Sequence, residues 1–172
     1  MTSCVLDWEL ASKFIPLITA LTTISVAWFV YKVWHKQKAK EVMASEAKQC
    51  IKDLLEMIKI INFIEVGKYD DEEELKKQFA KFKILFEQTI INVMYVNDCV
   101  NILNLKNKIF EFTEAGNTLI NLKSKNSLNY ENPNFKDKFY GDTKLFSAKA
   151  IDLTNILRPY SVYIKTFDFR DK

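Results

Sequence analysis

The sequence predicts an all-α protein in which a single N-terminal transmembrane helix continues into a cytoplasmic bundle of about four helices. Residues 14–31 carry no charged side chain. A run of about 18 mostly apolar residues spans the hydrocarbon core of a bilayer as a helix. The chain of 172 residues contains only 3 glycines and 3 prolines. Strand-rich domains need many turns built from these residues, so their scarcity favours long helices with few connections.

The span divides the chain into three parts. We expect a short extracytoplasmic N-terminus at residues 1–13, a transmembrane helix at residues 14–34 and a cytoplasmic helical domain at residues 35–172. The small residues Ser25 and Ala27 are typical of a signal-peptide cleavage site, but the apolar run continues beyond them. The segment is therefore interpreted as an uncleaved anchor.

Lysines flank the span unequally and predict its orientation. Lys13 precedes the uncharged run of residues 14–31, whereas four lysines follow it: Lys32, Lys36, Lys38 and Lys40. Positive residues remain on the cytoplasmic side of a membrane, so we expect the N-terminus outside and the C-terminal domain in the cytoplasm. These lysines also fit anionic lipid head groups, at roughly 1 kcal/mol per charge near the surface. Membrane lipid is thus one expected partner.

Three small residues within the span, Thr19, Thr23 and Ala27, recur every four residues on one helical face. Small residues let transmembrane helices approach closely, so this face is a candidate for self-association or for docking on another span. The alternative is that small residues are simply tolerated there. Thr22 and Ser25 need no partner, because their hydroxyls can bond back to the preceding turn.

Residues 36–66 contain no helix breaker, so the span is expected to continue into this helix with little interruption. Its apolar stripe consists of Ile51, Leu54, Leu55, Ile58, Ile61 and Ile64. Gly67 marks the expected end. The acidic run at residues 70–74 is interpreted as the start of the next helix, because acids complement the dipole there. A metal or general-acid site is the alternative.

The helix after the acidic run has the clearest pattern in the chain. Its predicted core face comprises Leu75, Phe79, Phe82, Phe86, Ile90 and Val93. A turn or kink is expected at residues 97–101, and a further helix at residues 102–122. The face of this helix includes Ile109, Phe112, Leu119 and Leu122. Gly116 weakens its middle.

Residues 124–142 are predicted to form the one long loop. This stretch is mostly polar and contains Pro133 and Gly141. It also holds four aromatic residues: Tyr130, Phe135, Phe139 and Tyr140. Aromatic side chains in a polar loop indicate a partner-binding surface, or they pin the loop to its own core. The first interpretation makes these residues candidates for protein–protein interaction.

The last predicted helix covers residues 143–158, begins at an Asp142 cap and ends or kinks at Pro159. Its inward face is expected to contain Leu145, Ala148, Ile151 and Leu153, with Ile156 or Leu157. The tail after Pro159 is too apolar for a solvated segment. We expect it to continue as a helix or to lie as a strand on the bundle, and an exposed tail would be an interaction surface.

No catalytic, cofactor-binding or metal-binding motif stands out. Cys50 and Cys99 have no zinc or disulfide spacing and are expected to be free, small buried residues. His35 is the one histidine and lies in the basic flank, which makes histidine-dependent hydrolysis unexpected. Three scattered glycines build no phosphate loop. Lysines of the folded domain alternate with acids, so no nucleic-acid partner is expected.

The sequence therefore predicts a single-pass membrane-anchored interaction or regulatory protein that docks a partner at the membrane, with neither enzymatic activity nor cofactors. The alternative is an effector or toxin that self-assembles in the membrane, for example in bacterial antiviral defence. An enzyme with an unrecognised site is the third hypothesis. The layout is similar to that of small bacterial single-span proteins, which favours the bacterial inner membrane but transfers no residue roles.

Overall fold

The computed structural model describes residues 8–66, 72–125 and 133–162. The described residues form four helices and no strand, so the all-α prediction is confirmed. The helices are α1 (Trp8–Glu65), α2 (Glu72–Cys99), α3 (Leu105–Lys125) and α4 (Pro133–Ser161). The chain divides into two units, Met1–Glu41 and Val42–Lys172.

Helix α1 is unbroken over 58 residues. The predicted continuation of the apolar helix into the amphipathic one is therefore confirmed. Residues 36–65 contain neither proline nor glycine, so nothing in that sequence interrupts the backbone hydrogen bonds. Pro16 lies inside α1, where it removes one N–H donor from the ladder. The helix ends just before Gly67, as expected from the sequence.

The second unit is held together by one hydrophobic core to which all four helices contribute. Its centre is aromatic, and four phenylalanine side chains there are at most 2% exposed: Phe82, Phe86, Phe112 and Phe146. Ring centroids lie 5.3 Å apart between Phe82 and Phe146, and also between Phe86 and Phe112. Such pairs add about 0.5–1.5 kcal/mol each beyond the burial of their area. This cluster joins α2, α3 and α4.

The predicted core faces of α2 and α3 are confirmed. On α2 the buried residues include Leu75, Phe79, Phe82, Phe86 and Val93, with Ile90 partly buried. On α3 they include Ile109, Phe112, Leu119 and Leu122. The face of α1 needs one correction, because Leu55 is 50% exposed while Leu54, Ile61 and Ile64 are buried. The core also extends towards the N-terminus, to Met43 and Ala47.

Helix α4 differs most from its prediction. It begins at Pro133, ten positions before the expected start, so residues 133–142 are helical and Asp142 is no N-cap. The polar sequence around Pro133 predicts a loop, but proline is favoured in the first turn of a helix because its missing N–H has no partner there anyway. Pro159 does not end the helix, which continues to Ser161.

The inward face of α4 was also predicted in the wrong register. Leu145 and Ile151 are about half exposed, at 49% and 47%, and Ala148 is exposed as well. The buried positions recur at alternating spacings of three and four residues: Phe139, Thr143, Phe146, Ala150, Leu153 and Leu157. This spacing places a continuous stripe along the helix. The expected members Leu153 and Leu157 belong to it.

The turn between α2 and α3 covers residues 100–104, three positions later than predicted, because α2 continues through Asn97 and Asp98 to Cys99. Helix α3 accordingly begins at Leu105 and not at residue 102. Asn104 adopts a left-handed backbone with a φ of 62°. Asparagine tolerates this conformation better than most residues that carry a side chain. The carbonyl of Ile102 accepts a hydrogen bond from the Leu105 N–H at 3.2 Å, and the Asn104 carbonyl accepts one from Lys108 at the same distance. These bonds start α3.

Candidate membrane and partner interfaces

Residues 14–31 of α1 present an uncharged, mostly apolar helical surface on all sides. Helix α1, from Ser12, is long and apolar enough to cross a membrane by length and composition, and none of its apolar window is buried. The side chains of Ile18, Ile24 and Phe29 are 60%, 67% and 64% exposed. A helix that is hydrophobic all round is stable in a large apolar core or in lipid. This surface therefore has the chemistry of a lipid-facing helix.

The threonine hydroxyls and the Ser25 hydroxyl of residues 14–31 are satisfied within the helix. Thr19 donates to the carbonyl of Ile15 and Thr23 donates to the carbonyl of Thr19, both at 2.8 Å. Thr22 and Ser25 make equivalent bonds, as predicted from the sequence. These four hydroxyls therefore need no second helix as their partner. The candidate face of Thr19, Thr23 and Ala27 is exposed and presents small groups only.

Aromatic and basic side chains are interleaved where the apolar run ends. The ammonium group of Lys32 lies 5.0 Å from the centroid of the Trp28 ring. The ring of His35 contacts the rings of Tyr31 and Trp34 edge-on, with centroids 4.6 and 5.3 Å apart. Tryptophan and tyrosine favour the head-group level of a membrane, because their rings are apolar and their tips polar.

The four lysines of this flank are not equivalent. Lys38 forms an ion pair with Glu41, with Nζ 3.4 Å from Oε2. Among the described residues, no ion pair is found for Lys36 or Lys40, since Glu41 pairs with Lys38, and Lys32 contacts the Trp28 ring. Exposed ion pairs contribute little to stability, roughly 0–1 kcal/mol. Three of the four charges therefore remain available to an external anion.

The predicted aromatic loop is helical over residues 133–142, and its described aromatic side chains differ in exposure. Phe139 is 2% exposed and belongs to the core, whereas Tyr140 is 45% exposed. The ammonium of Lys144 lies over the Tyr140 ring, 4.1 Å from its centroid. Phe135 lies in α4, and Tyr130 lies outside the described residues. Phe139 thus follows the alternative interpretation, in which an aromatic residue fastens its segment to the core.

An exposed apolar face on α2 is a feature that sequence reasoning missed. Ile84, Ile91, Met94 and Tyr95 are 57%, 66%, 51% and 51% exposed. Ile84, Ile91 and Tyr95 follow one another at intervals of seven and four, which places them on one side of the helix. That side is opposite the buried phenylalanine stripe. The same spacings are visible in the sequence, but the stronger phenylalanine pattern obscured them. We call these four residues the outer face of α2.

Carboxylates and lysines join α3 to α4 in an ion-pair network. Glu111 Oε2 accepts hydrogen bonds from Lys149 at 2.8 Å and from Lys108 at 2.9 Å. Lys108 also donates to Asp152 at 3.1 Å. The Lys149 and Lys108 bonds hold the pKa of Glu111 below its usual value. A carboxylate kept ionised by two cations fits a structural role better than proton transfer at neutral pH.

A shallow depression of about 240 Å³ lies between α1 and α2. It is lined by Glu56, Lys59, Ile60, Phe63, Gln78 and Lys81. Lys81 donates a hydrogen bond to Glu56 at 2.9 Å, which lowers the pKa of that carboxyl group. Pockets for small molecules usually measure about 300–1,000 Å³. The depression is therefore smaller than a typical ligand site, and its one carboxylate, Glu56, is paired with Lys81 and Lys59.

The cysteines and acids show no assembled reactive site among the described residues. Burial raises the pKa of the Cys50 thiol to about 12, and Cys99 is a free, half-buried thiol. A thiol needs its thiolate form to act as a nucleophile or metal ligand. Within the described ranges, no three His, Cys, Asp or Glu residues are grouped so that they could hold a metal ion.

Comparison with protein-family models, with curated proteins and with solved structures found no significant match to this chain.

Proposed function

We propose that the chain is a single-pass membrane protein that docks a protein partner at the membrane, and that it is not an enzyme. Residues 14–34 form the anchor, with the N-terminus outside and residues 35–172 in the cytoplasm. The bacterial inner membrane is the proposed location. The exposed apolar length of α1 and the lysines that follow it support this arrangement.

The outer face of α2 is the observation that carries the docking proposal. Its four large apolar side chains are each more than half exposed, although α2 already buries a complete phenylalanine face. Ile91, Met94 and Tyr95 adjoin on the helix, and Ile84 lies two turns before Ile91. Exposed large apolar residues beside charged ones are typical of protein-binding surfaces. Here the rim is charged, because Lys83 and Glu87 form an ion pair beside Ile84. The partner is expected to present an apolar surface of its own.

Other surfaces of the second unit fit an interaction role better than catalysis. Glu56 and Glu111 are both held ionised by lysines, and the depression beside Glu56 is small. Tyr140 is the one member of the predicted aromatic set that the structure leaves exposed among the described side chains. It provides a secondary contact on α4.

Site-directed photo-crosslinking in intact membranes tests the proposal. A photoreactive phenylalanine analogue replaces Ile91 in the outer face, and a matched control places it at the exposed polar residue Asn117 on α3. We expect one stoichiometric product from position 91 and none from position 117. Adding Tyr95→Glu to the position 91 variant should abolish the product. Circular dichroism confirms that the helices remain.

Two outcomes would overturn the docking proposal. One is equal crosslinking from positions 91 and 117, which indicates random collision. The other is an unchanged product in the Tyr95→Glu variant, which shows that the outer face does not determine capture. Mass spectrometry of the product identifies the partner, and a product containing only this chain points to the second candidate.

The second candidate is an effector or toxin that self-assembles in the membrane. The observation that favours it is the face of Thr19, Thr23 and Ala27, whose threonine hydroxyls are occupied within α1 and whose exposed groups are small. Small residues allow two transmembrane helices to pack closely. Bacterial defence against phage is one setting in which such an effector acts.

Replacement of Thr23 by Leu tests self-assembly. The bulkier side chain should block close packing, so oligomers captured by crosslinking should shrink and any growth inhibition on expression should fall. Thr22→Leu is the matched control on a different side of the helix. If Thr23→Leu leaves both oligomer size and toxicity unchanged, the second candidate fails.

A further inference from the structure

Three lysines form a ridge along one side of α1 at the end of its apolar run. Lys32, Lys36 and Lys40 recur every four residues, and each step of four rises about 6 Å and rotates about 40°. The three therefore follow one side of the helix over about 12 Å. Lys38 lies on the opposite side and pairs with Glu41. We call Lys32, Lys36 and Lys40 the lysine ridge.

The lysine ridge has no acidic neighbour within reach along the helix. Positions three and four residues away from its members are Trp28, Phe29, Val33, His35, Gln37, Ala39, Met43 and Ala44, besides the ridge lysines themselves. Like charges four apart destabilise a helix in water. Two such pairs, Lys32 with Lys36 and Lys36 with Lys40, stand in this ridge without compensation.

Lysines of the second unit show the contrasting arrangement. Lys59 and Lys81 both pair with Glu56, and Lys108 and Lys149 both pair with Glu111. The charges of these four lysines are therefore offset by carboxylates within the protein. The uncompensated charge of the ridge begins one turn after Trp28, where the Lys32 ammonium lies over the indole ring. An external anion at this level would supply the missing counter-charge.

We propose that the lysine ridge binds the phosphate groups of anionic phospholipids. The inference rests on the proposed membrane insertion of α1. With the proposed anchor ending at Trp34, the Lys32 side chain reaches up to the phosphate layer. Lys36 lies about 3 Å beyond Trp34 along the helix, within that layer, and Lys40 lies about 9 Å beyond Trp34, within about one Debye length. Each ammonium donates hydrogen bonds to phosphate oxygens while its methylene stem lies along the helix. Lys38 contributes less, because Glu41 already neutralises it.

Quenching of tryptophan fluorescence by brominated lipids measures which lipids surround the helix. The full chain, carrying Trp8→Phe so that Trp28 and Trp34 alone emit, is reconstituted into vesicles of phosphatidylcholine and phosphatidylglycerol. In one set of vesicles the phosphatidylglycerol is brominated, and in a matched set an equal amount of the phosphatidylcholine is brominated instead. The quenching in the first set divided by the quenching in the second measures how strongly the two tryptophan rings prefer the anionic lipid as a neighbour.

Variants that each lack one lysine distinguish an effect of the lysine ridge on lipid preference from an effect of net charge. Lys36→Gln removes a ridge lysine, and Lys38→Gln removes a lysine two positions away that is not in the ridge. We expect the preference for phosphatidylglycerol to fall about fivefold in Lys36→Gln, from the attraction of one lysine to an anionic surface. In Lys38→Gln it should change less than about twofold, because an exposed ion pair already offsets that charge.

Each possible result has a definite meaning. Equal losses in Lys36→Gln and Lys38→Gln would show a net-charge effect and would overturn the ridge. If both lipids quench the chain with the unaltered lysine ridge equally, the ridge has no preference for the anionic lipid and the proposal is overturned, although membrane insertion would still be supported. No quenching by either lipid would contradict insertion itself. A preference abolished by inorganic phosphate, but not by KCl of equal ionic strength, would identify free phosphate as the ligand and would overturn the lipid assignment.

Discussion

The ring of Phe86 lies directly against the α-carbon of Gly116 and so joins α2 to α3. A Cβ added to Gly116 would lie 2.9 Å from Cδ2 of Phe86 and still closer to two other ring carbons. Phe86 is 2% exposed and packs between the rings of Phe82, Phe112 and Phe146, so it has little room to move. Gly116 is therefore needed for close packing of the two helices.

Replacing Gly116 by Ala should destabilise the second unit. Overpacking of a filled core costs about 1–3 kcal/mol, and the better helix propensity of alanine offsets up to about 1 kcal/mol. We expect a net loss of about 1–2 kcal/mol in the free energy of unfolding. Urea unfolding in detergent micelles, followed by circular dichroism, measures it.

Gly141→Ala is the matched control for this prediction. Gly141 also lies in a helix, α4, but a Cβ there would meet nothing within 4 Å. Alanine should then raise the free energy of unfolding by about 0.5–1 kcal/mol. If both substitutions shift stability in the same direction, the steric role of Gly116 is wrong.

Asn104 should tolerate glycine and reject a β-branched residue. Its φ of 62° lies in the left-handed region, where a side chain costs roughly 1–2 kcal/mol and glycine costs nothing. We expect Asn104→Gly to unfold at about the same urea concentration as the parent chain or higher. Asn104→Val should unfold at a clearly lower one. Asn107→Val, at an exposed position of α3, is the control and should change little.

Acid should weaken the contact between α3 and α4 through Glu111. Its pKa is lowered in the folded protein because Lys149 and Lys108 bond to its carboxylate. A glutamate whose pKa is lower in the folded than in the unfolded chain stabilises the fold at pH values above its unfolded pKa, which is about 4.3. This stabilisation is lost as the pH falls through the lower pKa of the folded protein. Glu111→Gln should therefore flatten the fall of the melting temperature below about pH 4.3.

The control for the acid prediction is Glu114→Gln. Glu114 is exposed and lies about one helical turn after Glu111 on α3. Melting curves recorded by circular dichroism across the acid range compare the two variants with the parent chain. A parallel acid dependence in Glu111→Gln and the parent chain would show that the ion-pair network does not contribute to stability.

Cys50 should resist alkylation until the second unit unfolds. Its side chain is fully buried, and burial raises the pKa of the thiol to about 12, so very little thiolate exists near neutral pH. Cys99 is half-buried and should react first. Iodoacetamide labelling with peptide mass spectrometry, with and without urea, measures both sites. Native labelling of Cys50 as fast as Cys99 would contradict the burial.

The sequence predicts the fold well where one apolar pattern dominates. The phenylalanine stripe of α2 has a regular helical spacing, and all of its phenylalanines are buried. The inward face of helix α4 is harder to predict. The apolar residues Leu145, Ile151 and Leu153 are compatible with two choices of buried face, which differ by a rotation of less than one turn about the helix axis. The choice between them is made by tertiary contacts, with Phe146 packing on the rings of Phe82 and Phe112. Spacing along a single helix cannot contain that information.

The candidate surfaces were predicted in part. The lysine-rich flank is visible in the sequence, but the difference between Lys38 and Lys36 depends on the Glu41 ion pair. Phe139 and Tyr140 are adjacent aromatic residues in the sequence, and only their positions on α4 show that the first is buried and the second exposed. The sequence shows that aromatic residues are present as candidates for a partner-binding surface, whereas their positions around the helix determine which of them face outward.

Membrane extraction with alkaline carbonate, followed by flotation, tests the central claim that residues 14–34 anchor this chain. A charged residue at the centre of a transmembrane helix opposes insertion by about 2.5–3.5 kcal/mol. The parent chain should float with the lipid, and a variant with Ile24→Lys and Phe29→Lys should be released. Val42→Lys with Leu55→Lys adds the same charge to exposed apolar positions of the second unit and should still float. Release of the parent chain, or flotation of the Ile24 and Phe29 variant, would contradict membrane anchoring by α1.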